Sequence, residues 1–200
     1  STYAGNITVT GGGGIIQHGN NPGGTFTING SVTLDQQLTV QGDGTVDING
    51  VVSGADGIVK NNNGSLRLDG NNSFAGAVAI NDGRLFASQP NSLGTTQGNT
   101  TVYSNGSLIY DGNFTPAAES LFIAGGGENG EGALRSINGS RTLSNSIFIF
   151  DSATITSSTA NNTLTLSGDI DVLPTATLTF DGAGDTNVTT AFGNGNTPVA

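Results

Sequence analysis

The 200-residue chain carries 33 Gly, 5 Pro and no Cys, Met or Trp, and only 10% of it is charged. Gly, Asn, Thr and Ser fill most of the remainder, which is too poor in helix formers for an all-α or α/β class and too poor in charge for a disordered tail. Five Lys plus Arg against 15 Asp plus Glu give a formal charge of −10. That balance argues against nucleic acid as a partner, and one His without Cys leaves little from which to build a zinc site or a Ser-His triad.

Ser1 to Thr10 places Ile7 and Val9 among polar neighbours and reads as an extended, strand-forming arm. Gly11 to Gly14 sets this arm apart from the rest of the chain, so residues 1–14 are expected to stand off a single domain spanning 1–200. His18 has no neighbour in sequence that would orient it as a base, and it reads as structural or solvent-exposed. Next come GTFTING from Gly24, GTVDING from Gly44 and GSLRLDG from Gly64, a repeat with a period of 20 residues. GRLFAS from Gly83 and GSLIYDG from Gly106 continue it with insertions at the turns. A fixed period of this length marks a solenoid, in which each strand stacks on its counterpart one coil away.

Inside each unit the apolar residues alternate, as in Phe26 and Ile28, Val46 and Ile48, and Leu66 and Leu68. One face of each strand is therefore buried. Short strands at Val32–Leu34 and Leu38–Val40 fit within the same period, giving about three strands per coil. Asn-Gly and Asp-Gly steps at Asn29, Asp43, Asn49, Asp56, Asp69, Asp82 and Asp111 read as corners, because these residues accept the left-handed conformation of a sharp turn. An antiparallel meander also uses such steps, but it has no reason to repeat a seven-residue pattern at constant spacing. The expected fold is an all-β parallel β-helix with coils of about 20 residues. Ten such coils would form a rod roughly 48 Å long at ~4.8 Å per coil.

Gly57 to Gly94 resembles the autotransporter-associated β-strand repeat of bacterial surface proteins. The resemblance rests on Ile58-Val59-Lys60, Asp69-Gly70-Asn71, Ser73-Phe74-Ala75-Gly76 and Ile80-Asn81-Asp82-Gly83 leading to Leu85. The segments RTLSNSIFIF, NTLTLSGDI and ATLTFDGAGDTNVT in the C-terminal half are similar in style. The resemblance implies a right-handed β-helix, a secreted or cell-surface location on a Gram-negative-type bacterium, and a role as stalk, adhesin or scaffold. It carries no catalytic residues. The end at Asn194 to Ala200 lacks the amphipathic strands of a membrane barrel. The chain is therefore expected to be either a passenger piece or a separately secreted subunit, and not to insert into a membrane itself.

Parallel β-helices also host polysaccharide lyases and glycosidases, which makes a carbohydrate-active enzyme or carbohydrate-binding module the alternative. Hydrolysis of that kind needs converging carboxylates. The candidates are Asp169 with Asp171, which at i and i+2 share one strand face, and Asp181 with Asp185 around a Gly turn. They read as solvated side chains. Gly11–Gly14 and Gly125–Gly127 lack the Lys-Ser/Thr ending of a phosphate loop. Gly127 to Gly132 lacks the repeated Asp of a calcium nonapeptide. Thr-x-Thr at Thr25 gives way to Thr45 and Asp47 one period later, so it builds no continuous threonine ladder. No catalytic residue, cofactor or metal ligand is expected.

The ends carry the functional expectation. A solenoid leaves unpaired backbone on its first and last coils, and neither terminus offers a helical cap. Tyr3, Ile7 and Val9 in the arm, with Val188 and Phe192 in the last strand region, are the candidate self-association residues. Joined head to tail, such subunits would form a homopolymeric fibre. Surface glycans are the other candidate partner.

Overall fold

The computed structural model describes residues 1–19 and 23–193, so the tail 194–200 lies outside the described residues. The chain forms a parallel β-solenoid of about nine turns with coils of about 22 residues. Each coil visits three faces. Face I begins with Thr2–Tyr3, Thr25–Ile28, Thr45–Ile48 and Ser65–Leu68; face II begins with Ile7–Val9, Val32–Leu34 and Val52–Gly54; and face III begins with Gly14–His18, Leu38–Gly42 and Ile58–Lys60. From Val78–Ala87 onward, faces III and I are often run through by one long strand, as in Asn99–Asp111 and Ile147–Ser157. Among the described residues all pairings are parallel, each strand meeting the one a coil away.

The repeat becomes a set of buried columns. Phe26, Val46, Leu66, Leu85, Leu108, Leu134, Ile155 and Phe180 stand in register along face I. Beside them run Ile28, Ile48, Leu68, Ala87 and Tyr110. Face III contributes Leu38, Ile58, Val78, Thr100, Leu121, Ile147, Ile170 and Phe192. The inner members are almost wholly excluded from solvent, and burial of this continuous core is the main favourable term for the fold.

Two expectations change. Residues 1–14 are not a free arm: Thr2–Tyr3 pairs with Thr27–Ile28 and Ile7–Val9 with Val32–Leu34, making them the first coil. The amino group of Ser1 donates to the carbonyl of Thr25 at 2.8 Å, and the glycines after Thr10 form a corner instead of a linker. The second change concerns the corners after each repeat. Gly30, Gly50 and Gly70 are not in the left-handed region. They stack one above another so closely that a Cβ on Gly50 would overlap the carbonyl of Gly30. Asn29 and Asn49 stack beside them, the Nδ2 of Asn49 donating to Oδ1 of Asn29 at 2.9 Å. Close backbone approach, more than turn conformation, fixes glycine here. Gly50→Ala is expected to destabilise the protein by about 2 kcal/mol or more, against a near-neutral Gly19→Ala, which has open space around it. Thermal denaturation of the two variants checks this.

Arg67 and Asp47 occupy neighbouring rungs on the outside of face I. Arg67 nevertheless engages Asp111 at 3.3 Å and Asp69 at 3.6 Å, and lies 4.9 Å from the centre of the Phe86 ring. Asp47 keeps a buried oxygen without a hydrogen-bond partner, and burial raises its pKa, with Arg67 opposing. Exchanging these two charges would set a carboxylate beside Asp69 and Asp111, so register alone does not make them a pair.

Candidate functional site

The candidate self-association residues fall at opposite ends of the rod. Tyr3, 45% exposed, precedes Ile28 in its column, while Ile7 and Val9 head the face II columns; Ile7 is half-buried and Val9 buried. At the other end, half-buried Val188 follows Leu143 and Leu166 on face II, and Phe192 follows Ile170 on face III. Phe180, which composition alone did not single out, belongs with them as the last member of the Phe26 column. Its signal was present in ATLTFDG, which repeats the Gly-ended pattern of the earlier units.

These terminal side chains differ from their column partners in one respect. Ile155 and Ile170 are 0% and 1% exposed, whereas Phe180 and Phe192, the next rungs, are 37% and 53% exposed. Their rings lie 6.4 Å apart. The last described coil therefore presents an unfinished apolar layer, bordered by strand edges that have no further partner among the described residues.

Along the corner between faces III and I runs a shallow groove. One part, about 490 Å³, is lined by Asp43, Asn63, Arg84 and Glu128, and continues past Asp82, Asn105 and Asn129. Arg84 and Glu128 form an ion pair across it. The short 3₁₀ turn Glu128–Gly130, part of the tract that lacks a calcium repeat, forms its rim. Beneath it lies Lys60, an inward residue of face III that is 1% exposed. Its ammonium donates to the carbonyls of Asn61, Asn62 and Asp82 at 2.8, 2.5 and 3.2 Å. Burial lowers its pKa to about 8, with Asp82, Glu128 and Asp43 opposing. Gly83 follows at φ 72°, and a Cβ there would lie 2.8 Å from the Lys60 Nζ. The cradle thus requires glycine. Lys60 was legible in principle, since Ile58-Val59-Lys60 places it in step with Ile58.

Two other buried charged residues interrupt the core. Glu119 accepts a hydrogen bond from the Thr100 hydroxyl at 2.7 Å, and burial raises its pKa to about 8. Arg141 donates from Nε to the Ser136 hydroxyl and from Nη2 to backbone carbonyls, and its guanidinium lies 5.1 Å from the Phe114 ring centre and 5.9 Å from that of Tyr110. Burial lowers its pKa to about 10. Glu119 follows the stretch where Pro90 and Pro116 interrupt face II, and Arg141 opens the strand Arg141–Leu143 with which face II resumes.

Asp169, exposed, lies just before the strand Ile170–Val172 and Asp171, 8% exposed, lies within it, both beside a hollow of about 270 Å³ that Phe192 also lines. They stand two residues apart on one segment of chain, not on separate segments. Asp181 and Asp185 are exposed on either side of the Gly182 turn. His18 ends the first face III strand, half-buried, its Nδ1 without a partner. Among the described residues no three His, Cys, Asp or Glu side chains are placed to hold a metal ion.

The outer surface of face III differs from the corners. From residue 13 to residue 150 its seven successive rungs carry no charged side chain on their outward side. One row reads Ile15, Thr39, Val59, Ala79, Thr101, Phe122 and Phe148. The adjacent row carries paired amides, the Nδ2 of Asn81 donating to Asn61 at 2.8 Å and the Nε2 of Gln41 to Gln17 at 3.2 Å. Phe122 and Phe148 meet edge to face with centroids 5.9 Å apart, and Tyr103 and Phe150 likewise at 6.1 Å.

No protein family model, curated protein or solved structure matches the chain.

Proposed function

We propose that this solenoid is a non-enzymatic structural and adhesive module of the bacterial surface, extended end to end into a fibre by addition of one copy's last coil to the first coil of the next. The observation that carries the reading is the unfinished layer at Phe180 and Phe192, where two columns that are shut off from water through the middle of the rod end exposed. Tyr3 and Ile7 at the opposite end offer the same kind of surface, and both ends present parallel strand edges. Head-to-tail contact between unlike ends need not close, so growth continues. The donor is a whole coil edge and not a detached arm. Resemblance of Gly57–Gly94 to passenger repeats supports the extracellular setting and the passenger-type assignment.

The test is light scattering of the purified protein across a range of concentrations. Wild type is expected to grow in mass with concentration. Phe180→Asp with Phe192→Asp is expected to hold it as a monomer with little change in melting temperature, because both positions are exposed in the single copy. A wild type that remains monomeric at the highest concentration would overturn the reading.

A further inference from the structure

We propose that the outer surface of face III is a binding track for an extended, uncharged polysaccharide. Three features select this ligand over others. Seven rungs without an outward charge span roughly 29 Å at ~4.8 Å per rung, so the surface suits a linear polymer lying along the rod. In a chain of net charge −10, this strip is bordered by carboxylates, with Asp35 and Asp56 at one edge and Asp43 and Asp82 at the other.

Those acidic borders decide between occupants. A second copy laid face to face would bring like-charged edges together. Single-stranded nucleic acid also stacks on aromatic rings, but its phosphates are repelled by the same borders. An anionic glycan meets the same repulsion. A neutral glycan does not.

The side chains of the strip match both kinds of surface that a sugar ring offers. Tyr103, Phe122, Phe148 and Phe150 form an aromatic platform with ring planes held by edge-to-face packing. Apolar C–H faces of pyranose rings stack on such a platform. The amide row supplies the polar half. In the Asn61–Asn81 bond the Nδ2 of Asn61 and the Oδ1 of Asn81 remain unused, and the Gln17–Gln41 bond leaves one donor and one acceptor in the same way.

The experiment is native electrophoresis through gels containing hydroxyethylcellulose, glucomannan or dextran, with polygalacturonate as the anionic comparison. Retardation by at least one neutral polymer and not by polygalacturonate is expected. Tyr103→Ala with Phe148→Ala should weaken it about tenfold, and Asn61→Ala more modestly, while Val51→Ala, exposed on another side of the rod, leaves it unchanged. Melting temperatures measured in parallel separate lost binding from lost folding, and Asn61→Ala removes no core group. Migration unaffected by every neutral polymer, equal retardation of the platform variant, or preference for polygalacturonate would each overturn the proposal. Because the platform lies on the side of the rod and not at its ends, a failure here leaves the end-to-end reading untouched.

Discussion

Replacing Leu66 by Asp is expected to unfold or fray the central coils. Leu66 is 0% exposed and stands between Val46 and Leu85 in the longest apolar column. An ionised carboxylate there has no cation or donor to meet it, and burying one costs several kcal/mol even after relaxation, against a typical total stability of about 5–15 kcal/mol. Phe180→Asp makes the same kind of change in the same column, at a rung 37% exposed. There the carboxylate reaches water, and the loss should be about 1 kcal/mol. Far-UV circular dichroism with thermal melts compares the two. Equal melting temperatures would show that Leu66 does not occupy the interior of a stack.

The second large effect is a dependence on pH written into Glu119. Its pKa stands near 8 in the folded chain against an ordinary 4.5, chiefly because burial disfavours the carboxylate. Between these values the folded protein keeps a proton that the unfolded chain gives up, so stability falls as pH rises from about 4.5 to about 8. A shift of this size corresponds to roughly 5 kcal/mol across the window. Glu119→Gln keeps an acceptor for the Thr100 hydroxyl without a titrating group and is expected to flatten that fall. Lys60 acts in the opposite sense above pH 8, since its depressed pKa leaves it neutral when folded while the unfolded chain still binds the proton. Stability should therefore pass through a minimum near pH 8. Urea unfolding at pH 5, 8 and 10 reads both limbs, and a Glu119→Gln variant with an unchanged slope between pH 5 and 8 would refute the assignment.

What could be read from the chain depends on which forces leave a periodic trace. Side chains that must stack repeat at the coil length, so Phe26, Val46, Leu66 and Leu85 are legible as one column in the sequence itself. The 20-residue spacing describes the early coils, and longer excursions such as 126–132 lift the average to about 22. The glycine-rich stretch after Thr10 misleads because a linker and a tight solenoid corner draw on the same residue. The Asn-Gly steps do mark corners, but for a different reason at Gly30, Gly50 and Gly70, where packing between coils decides. The terminal layer is legible in part, through Val188 and Phe192. The neutral strip of face III is not, since it arises only when residues about twenty apart are brought side by side, and no single stretch of sequence shows it.

Face II bears on how the rod carries load. Strands in neighbouring coils are bonded along the rod axis, so tension applied to its two ends pulls on every ladder in the direction of its hydrogen bonds. Faces I and III share a nearly continuous ladder, whereas face II has regular strands only up to Val52–Gly54 and again from Arg141–Leu143. In between, the coils are joined by a few isolated backbone bonds, such as Ser73 N–H to the Val52 carbonyl, Thr95 N–H to that of Phe74 and Ala117 N–H to that of Pro90, and by side chains: Asn72 accepts from the Val52 amide and donates to the Ser92 carbonyl, and Asn145 donates to the carbonyls of Ala117 and Glu119. Under stretch the middle coils would part first along this seam and swing open about the edge where faces I and III meet. The rod would thus yield by bending at its centre before it separates, with faces I and III acting as the hinge.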